Sequence, residues 1–218
     1  MRVVPAALAL LIGLASVPLA AAQGQVRRER PTAFPLQVVP FLSLGFGGGK
    51  RAVEAPSSGC VGADCREYSY GSGPELGVQV QFPIAGTVGL AATGAIGRPS
   101  RVVCTQGTCN SPESVTAIRG NVLLLWRLKA RAPVFFGIGP AVVRFDPAAA
   151  TDQPAVVEFG GVGVVGVDFG ISGNVGGRLL WWNYVLQPSS DAIPANIEAS
   201  GLAWDMALGL GIRVALGS

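Results

Sequence analysis

The chain is 218 residues long, with 50% hydrophobic and 13% charged residues, 31 glycines, no histidine and a formal net charge of +3. Its charge content is about half the ~25% of ordinary soluble domains, yet past residue 26 it holds no uncharged apolar run of the ~18 residues that a transmembrane helix needs. An ordinary soluble domain and a helical membrane protein are thereby excluded, and the class that is hydrophobic overall without hydrophobic runs is the membrane β-barrel.

Residues 1–22 have the pattern of a cleaved signal peptide. Arg2 supplies the positive start, "ALALLIGLASVPLA" the uncharged apolar stretch, and Ala20 to Ala22 the small residues of a cleavage site. Gln23 is then the expected mature start. Residues 23–35 are expected to form a periplasmic tail ahead of a barrel domain spanning 36–218.

From there, alternation of apolar and polar or small residues predicts strands near 36–48, 74–84, 86–97, 115–128, 133–145, 155–169, 174–186 and 201–216. In the second, Leu76, Val78, Val80, Phe82 and Ile84 alternate with Glu75, Gly77, Gln79 and Gln81. In the eighth, Leu202, Trp204, Met206, Leu208, Leu210, Ile212, Val214 and Leu216 are apolar without exception. A helix would scatter Asp205 and Arg213 among those leucines; a strand puts both on the opposite face. Connectors alternate short ("PIAG", "KARAP", "GISGN") and long (roughly 49–73, 98–114, 146–154 and 187–200). Short turns on the periplasmic side and long loops outside are the asymmetry of outer-membrane barrels. The expected fold is all-β: an eight-stranded antiparallel transmembrane β-barrel, wound as an up-and-down meander, with both termini in the periplasm.

Two glycine-rich stretches mimic nucleotide motifs. "GVGVVG" at Gly161 to Gly166 has the spacing G-x-G-x-x-G, but more strand follows it where a dinucleotide site requires a helix. "GFGGGK" at Gly45 to Lys50 lacks the following Ser or Thr of a phosphate loop. Both are strand glycines, which in a narrow barrel leave room for large lumen-facing neighbours. No cofactor and no nucleic-acid partner are expected.

With each strand's apolar set turned outward, Glu75, Arg119, Arg127, Asp168, Arg178, Asp205 and Arg213 face the lumen, together with Gln79, Gln81 and Asn121. A charge on the lipid face costs ~2–4 kcal/mol near the midplane, whereas inside these groups can pair. Eight strands enclose a space that side chains can fill, so a lumen plugged by salt bridges and amides is expected. Phe46, Trp126, Phe159, Phe169, Trp181, Trp182, Tyr184 and Trp204 fall near strand ends, as aromatic girdles at the headgroups would.

The cysteines form two short pairs, Cys60 with Cys65 and Cys104 with Cys109, both in long connectors. An exported chain meets an oxidising compartment, and local disulfides within each pair are expected, against a rival pairing between the two loops. Without histidine there is no metal centre of the usual kind and no base for serine or aspartate chemistry. The carboxylates Glu75, Glu158, Asp168 and Asp205 are scattered, and no catalytic constellation is expected.

The layout resembles the small OmpA/OmpX-like outer-membrane β-barrel family. The resemblance rests on the hairpin "GGVGVVGVDFGISGNVGGRLLWW", with Arg178 turned inward, and on the closing "GLGIRVAL", with Val214 and Leu216 in the apolar positions. It covers about 36–216 and departs at the end, where such barrels carry an aromatic residue and this chain reads "ALGS". It implies the outer membrane of a Gram-negative-type bacterium, outer-membrane lipid around the wall and the barrel assembly machinery during insertion. The expected role is a structural or surface-interaction barrel displaying four outer loops to a partner outside the cell. The alternatives are a small-solute or ion channel, a lipid-acting barrel, and a secreted lipocalin-like barrel that binds a ligand inside.

Overall fold

The computed structural model describes residues 36–47, 52–54, 66–105, 108–128, 133–146, 155–170, 174–188, 197–199 and 201–216. In chain order they form β1 (Leu36–Gly47), β2 (Ala52–Glu54), β3 (Arg66–Tyr70), β4 (Gly73–Ala85), β5 (Val88–Gly97), β6 (Ser100–Thr105), β7 (Thr108–Ser114), β8 (Thr116–Arg127), β9 (Val134–Asp146), β10 (Val156–Gly170), β11 (Val175–Gln187), β12 (Ile197–Ala199) and β13 (Ala203–Leu216). Eight of these close into an antiparallel barrel in the order β1-β13-β11-β10-β9-β8-β5-β4, each beside its neighbour in the meander. These are the eight strands expected from alternation, with ends displaced by at most about two residues.

The register fixes the dimensions of the barrel. Val134 pairs with Val167, Val167 with Leu179, Leu179 with Leu210, Leu210 with Leu42, Leu42 with Leu76, Leu76 with Ile96 and Ile96 with Ile118. Ile118 then pairs with Arg144, so one circuit of the wall returns to β9 ten residues further along the strand. Eight strands with that stagger tilt by about 40° and enclose a backbone cylinder of about 8 Å radius. The eight residues before Arg144 in this row are all apolar and all lie on the outer face.

That outer face is a lipid surface. On β13, Trp204, Met206, Leu208, Leu210 and Ile212 are exposed, while Ala203, Asp205 and Ala207 between them are buried. Leu42, Leu76, Ile96, Ile138 and Phe159 are likewise exposed on other strands. A lipocalin-like barrel, polar outside and apolar within, has the opposite polarity. "GVGVVG" lies wholly inside β10, with strand on both sides.

Short connections join β4 to β5, β8 to β9 and β10 to β11. In the first, Gly86 takes φ 53, a left-handed conformation that glycine adopts without steric cost. The long connections differ from the loops expected there. They carry β2, β3, β6, β7 and β12, which form a second antiparallel sheet in the order β12-β2-β3-β6-β7. Period-2 hydrophobicity does not mark these strands, because a sheet beyond the lipid needs no uniformly apolar face. Cys104 and Cys109 are directly opposite in the β6–β7 register, and Cys104 is disulfide-bonded. Cys60 and Cys65 lie outside the described residues, as do residues 1–35, for which a signal peptide and a tail are expected.

Two outcomes follow from this architecture. Leu208→Arg sets a charge into lipid on the outer face and should impair insertion at ~2–4 kcal/mol, whereas Ala207→Ser, on the lumen side, should be tolerated; fractionation of outer membranes distinguishes the two, and equal behaviour would contradict the wall polarity. Peptide mapping of unreduced protein should link Cys104 to Cys109 and Cys60 to Cys65. Replacing either pair should leave the barrel assembled, since the bonds staple connections outside the lipid-embedded wall.

Candidate functional site

The inward series of four strands share one order. From the short-turn end, β11 presents Arg178, then Leu180 and Trp182, then Tyr184 and Leu186; β1 presents Gln37, then Val39 and Phe41, then Ser43. β8 reaches the same levels with Arg127, then Leu125 and Leu123, then Asn121 and Arg119, and β13 with Arg213, then Gly211, Gly209 and Ala207, then Asp205. Antiparallel closure brings like levels together. The lumen therefore holds two polar clusters with an apolar septum between them.

The cluster at the short-turn end centres on Arg178, which is fully buried. Its Nε donates to Asp168 Oδ1 at 2.5 Å and its Nη2 to Asp168 Oδ2 at 2.9 Å, a bidentate pair between residues directly opposite on β10 and β11. Nη2 also donates to Gln37 Oε1 at 2.7 Å and Nη1 to Gln79 Oε1 at 3.1 Å. The guanidinium lies 4.6 Å from the centroid of the Phe135 ring. Arg127 Nη2 bonds Asp168 Oδ2 at 3.1 Å, Gln81 Nε2 donates to Gln79 Oε1 at 2.9 Å, and Gln79 Nε2 to Thr93 Oγ1 at 3.3 Å. One carboxylate thus ties β8, β10 and β11 together through bonds of the strong, charge-assisted kind, and Arg178 carries the network on to β1 and β4.

The cluster at the long-connection end centres on Arg119. Its Nη1 pairs with Glu75 Oε1 at 2.5 Å and its Nη2 with Asp205 Oδ2 at 3.4 Å. Ser43 Oγ donates to Glu75 Oε2 at 3.3 Å. The Arg119 guanidinium lies 5.2 Å from the Tyr184 ring centroid, and Asn121 Nδ2 donates to the Tyr184 hydroxyl oxygen at 3.4 Å. Glu158, also buried, faces the same end of the lumen.

Between them, Phe41 packs on Trp182 with ring centroids 4.8 Å apart, surrounded by buried Leu123, Leu125, Val162, Val164 and Leu180. Glycines on the facing strands make the space. A Cβ on Gly77 would strike the Phe41 ring, one on Gly166 the Phe135 ring, one on Gly137 the Leu125 side chain, and one on Gly209 would lie 2.8 Å from Trp182.

All seven expected charged residues, Glu75, Arg119, Arg127, Asp168, Arg178, Asp205 and Arg213, lie on inward positions. Six are joined in the two clusters, and Arg213 stands beside the first without an ion pair to it among the described residues. Two expectations are corrected. The lumen is not filled by ions and amides alone, because β9 to β11 carry apolar residues on both faces. For the same reason Trp182 and Tyr184 are plug residues and not headgroup anchors. Phe46, Phe159, Phe169 and Trp204 are exposed on the outer wall, and Trp126 stacks on Phe136 there at 5.4 Å. Gln37, Ser43 and Thr93 escaped notice although strand parity marks each of them as inward. Among the described residues no group of three His, Cys, Asp or Glu side chains could hold a metal ion.

No protein-family model matches the chain, and no curated protein matches it. Solved structures do. The chain is similar to the outer membrane protein OprG from Pseudomonas aeruginosa, at 12% identity over 84% of this chain and 98% of that one, with a TM-score of 0.59. It is similar to Neisserial surface protein A, at 11% identity over 85% and 99%, TM-score 0.55. The outer membrane protein AlkL in lipid bilayers gives 12% identity over 90% and 98%, TM-score 0.54. At such identities the likeness is one of fold, and the fold is that of the small, eight-stranded outer-membrane β-barrels.

Proposed function

We propose that this protein is a structural, surface-interaction barrel of the outer membrane: a rigid wall, closed along its axis by side chains, that presents its long connections to a partner outside the cell. The observation that carries this is the filled lumen. Arg178, Asp168, Trp182 and Phe41 occupy a cylinder of about 8 Å radius, and Arg178 and Trp182 are at most 1% exposed. The outer sheet adds support, since it gives the long connections a defined surface on which recognition can be built.

Bilayer recording tests the closed lumen. Protein reconstituted in planar bilayers should show no stable open state at ordinary voltages; a large, long-lived, ion-selective conductance would replace the scaffold with a channel. The plug should also be a main source of rigidity. Arg178→Ala leaves Asp168 with Arg127 alone, strips the Gln37 carbonyl of its Arg178 donor and leaves the Gln79 carbonyl to Gln81, and breaking a buried pair in this way costs ~3–5 kcal/mol. Heat-modifiable gel migration should register this as a clear fall in unfolding temperature. An unchanged midpoint would mean that the pair contributes nothing to closure.

A further inference from the structure

Two features at the short-turn end of the lumen are left over once the plug is assembled. The first is charge. Arg127, Arg178 and Arg213 all turn inward at this end, and Asp168 is the one carboxylate among them in the described residues. Asp168 already accepts from Arg178 through both oxygens and from Arg127. Among the described residues one carboxylate thus stands against three guanidiniums in a narrow space with apolar walls, where an excess of one sign of charge is costly.

The second feature is a set of unsatisfied polar atoms. Gln37 is fully buried, and its Oε1 is taken by Arg178. Its Nε2 is buried with no acceptor, and so is Arg213 Nε. The two are close in the wall: Gln37 on β1 faces Ala215 on β13, two residues from Arg213. Gly176 opens the space over the Arg213 guanidinium, since a Cβ there would lie 2.9 Å from Nη2 and 3.1 Å from Nε. Gln81 Oε1, opposite Gln37, is an acceptor without a donor and suits a water or P–O–H group carried in with a ligand.

We propose that this end of the lumen is an anion site for a phosphate-type oxyanion, held by Arg213 and Gln37 beneath the Arg178–Asp168 pair with Arg127 alongside. Excess positive charge and idle N–H donors are both answered by a group that brings negative charge and several acceptor oxygens. The site opens toward the short-turn mouth, where the Arg127 side chain is 21% exposed and Arg213 is half-buried. The phosphate is either free in the periplasm or part of a lipid headgroup.

Folded full-length protein in zwitterionic detergent tests this, with inorganic phosphate titrated against chloride at constant ionic strength and unfolding followed by heat-modifiable migration. The wild type should show a saturable rise in midpoint. Arg213→Gln should weaken the apparent affinity about tenfold or more, the loss of one charge-assisted hydrogen bond. Gln37→Leu should weaken it less, and Arg98→Gln, exposed at the far end of the wall, should leave it unchanged. Should Arg213→Gln not fold, Arg213→Lys keeps the charge without the planar fork and should bind more weakly than the wild type. A second arm uses nanodiscs of phosphatidylcholine, with or without phosphatidylglycerol, in buffer free of inorganic phosphate: protection by the added phosphatidylglycerol and not by free phosphate assigns a headgroup, and the reverse assigns the free anion. No saturable rise in either arm, or the same rise in Arg213→Gln as in the wild type, overturns the proposal.

Discussion

The structure depends on one geometric constraint, the closure of eight strands with a stagger of ten residues. That pair of integers sets the tilt, and the tilt sets the radius. An interior about 8 Å in backbone radius is too narrow for a water column beside side chains of the size of Arg178 and Trp182, and too wide for alanines and glycines to fill. The wall must therefore carry large residues on some strands and almost none on their neighbours. The inward faces show this division: β11 brings Arg178, Leu180, Trp182 and Tyr184, while β13 beside it brings Gly211, Gly209 and Ala207.

The glycine content that first marked the sequence as unusual has its explanation in that division. Gly77, Gly137, Gly166 and Gly209 are seats for rings and branched chains from other strands, and an alanine at any of them would need the plug to move. The charged groups answer to the same constraint. With lipid outside and little water inside, a guanidinium has nowhere to put its donors except on carboxylates and amides across the barrel, so Arg178 and Arg119 each gather partners from several strands.

The barrel was legible in the sequence because lipid imposes a strict period of two on one face of every strand, as β13 shows without exception. The inward placement of Asp205 and Arg213 was legible for the same reason. What escaped was set by features with no such period. On β11, "LLWW" at Leu179 to Trp182 is apolar on both faces, so parity alone could not separate Trp181 on the wall from Trp182 in the plug; only an anchor elsewhere on the strand, such as Arg178, fixes the phase. The outer sheet escaped because its pairing joins distant segments, Arg66–Tyr70 with Ser100–Thr105 and Ala52–Glu54 with Ile197–Ala199, whose residues announce no shared face. Which partners Arg178 would select, Gln37 and Gln79 among them, depends on distances across the lumen that no linear pattern encodes.

The seam between β1 and β13 gives the barrel a temporal order. Leu36 pairs with Leu216 there, the described chain's first strand with its last, so the contact that seals the wall has nearly the largest sequence separation the chain allows. Such contacts form late and slowly. Until β13 arrives, β1 and β11 each present a full row of unpaired N–H and C=O groups, which hydrocarbon does not tolerate. A nascent chain halted short of Ala203 has every other barrel strand and still cannot rest in a bilayer. Insertion and closure must be a single event, and a chaperone or a templating edge that shields β1 until then serves the fourteen residues of β13 more than the rest.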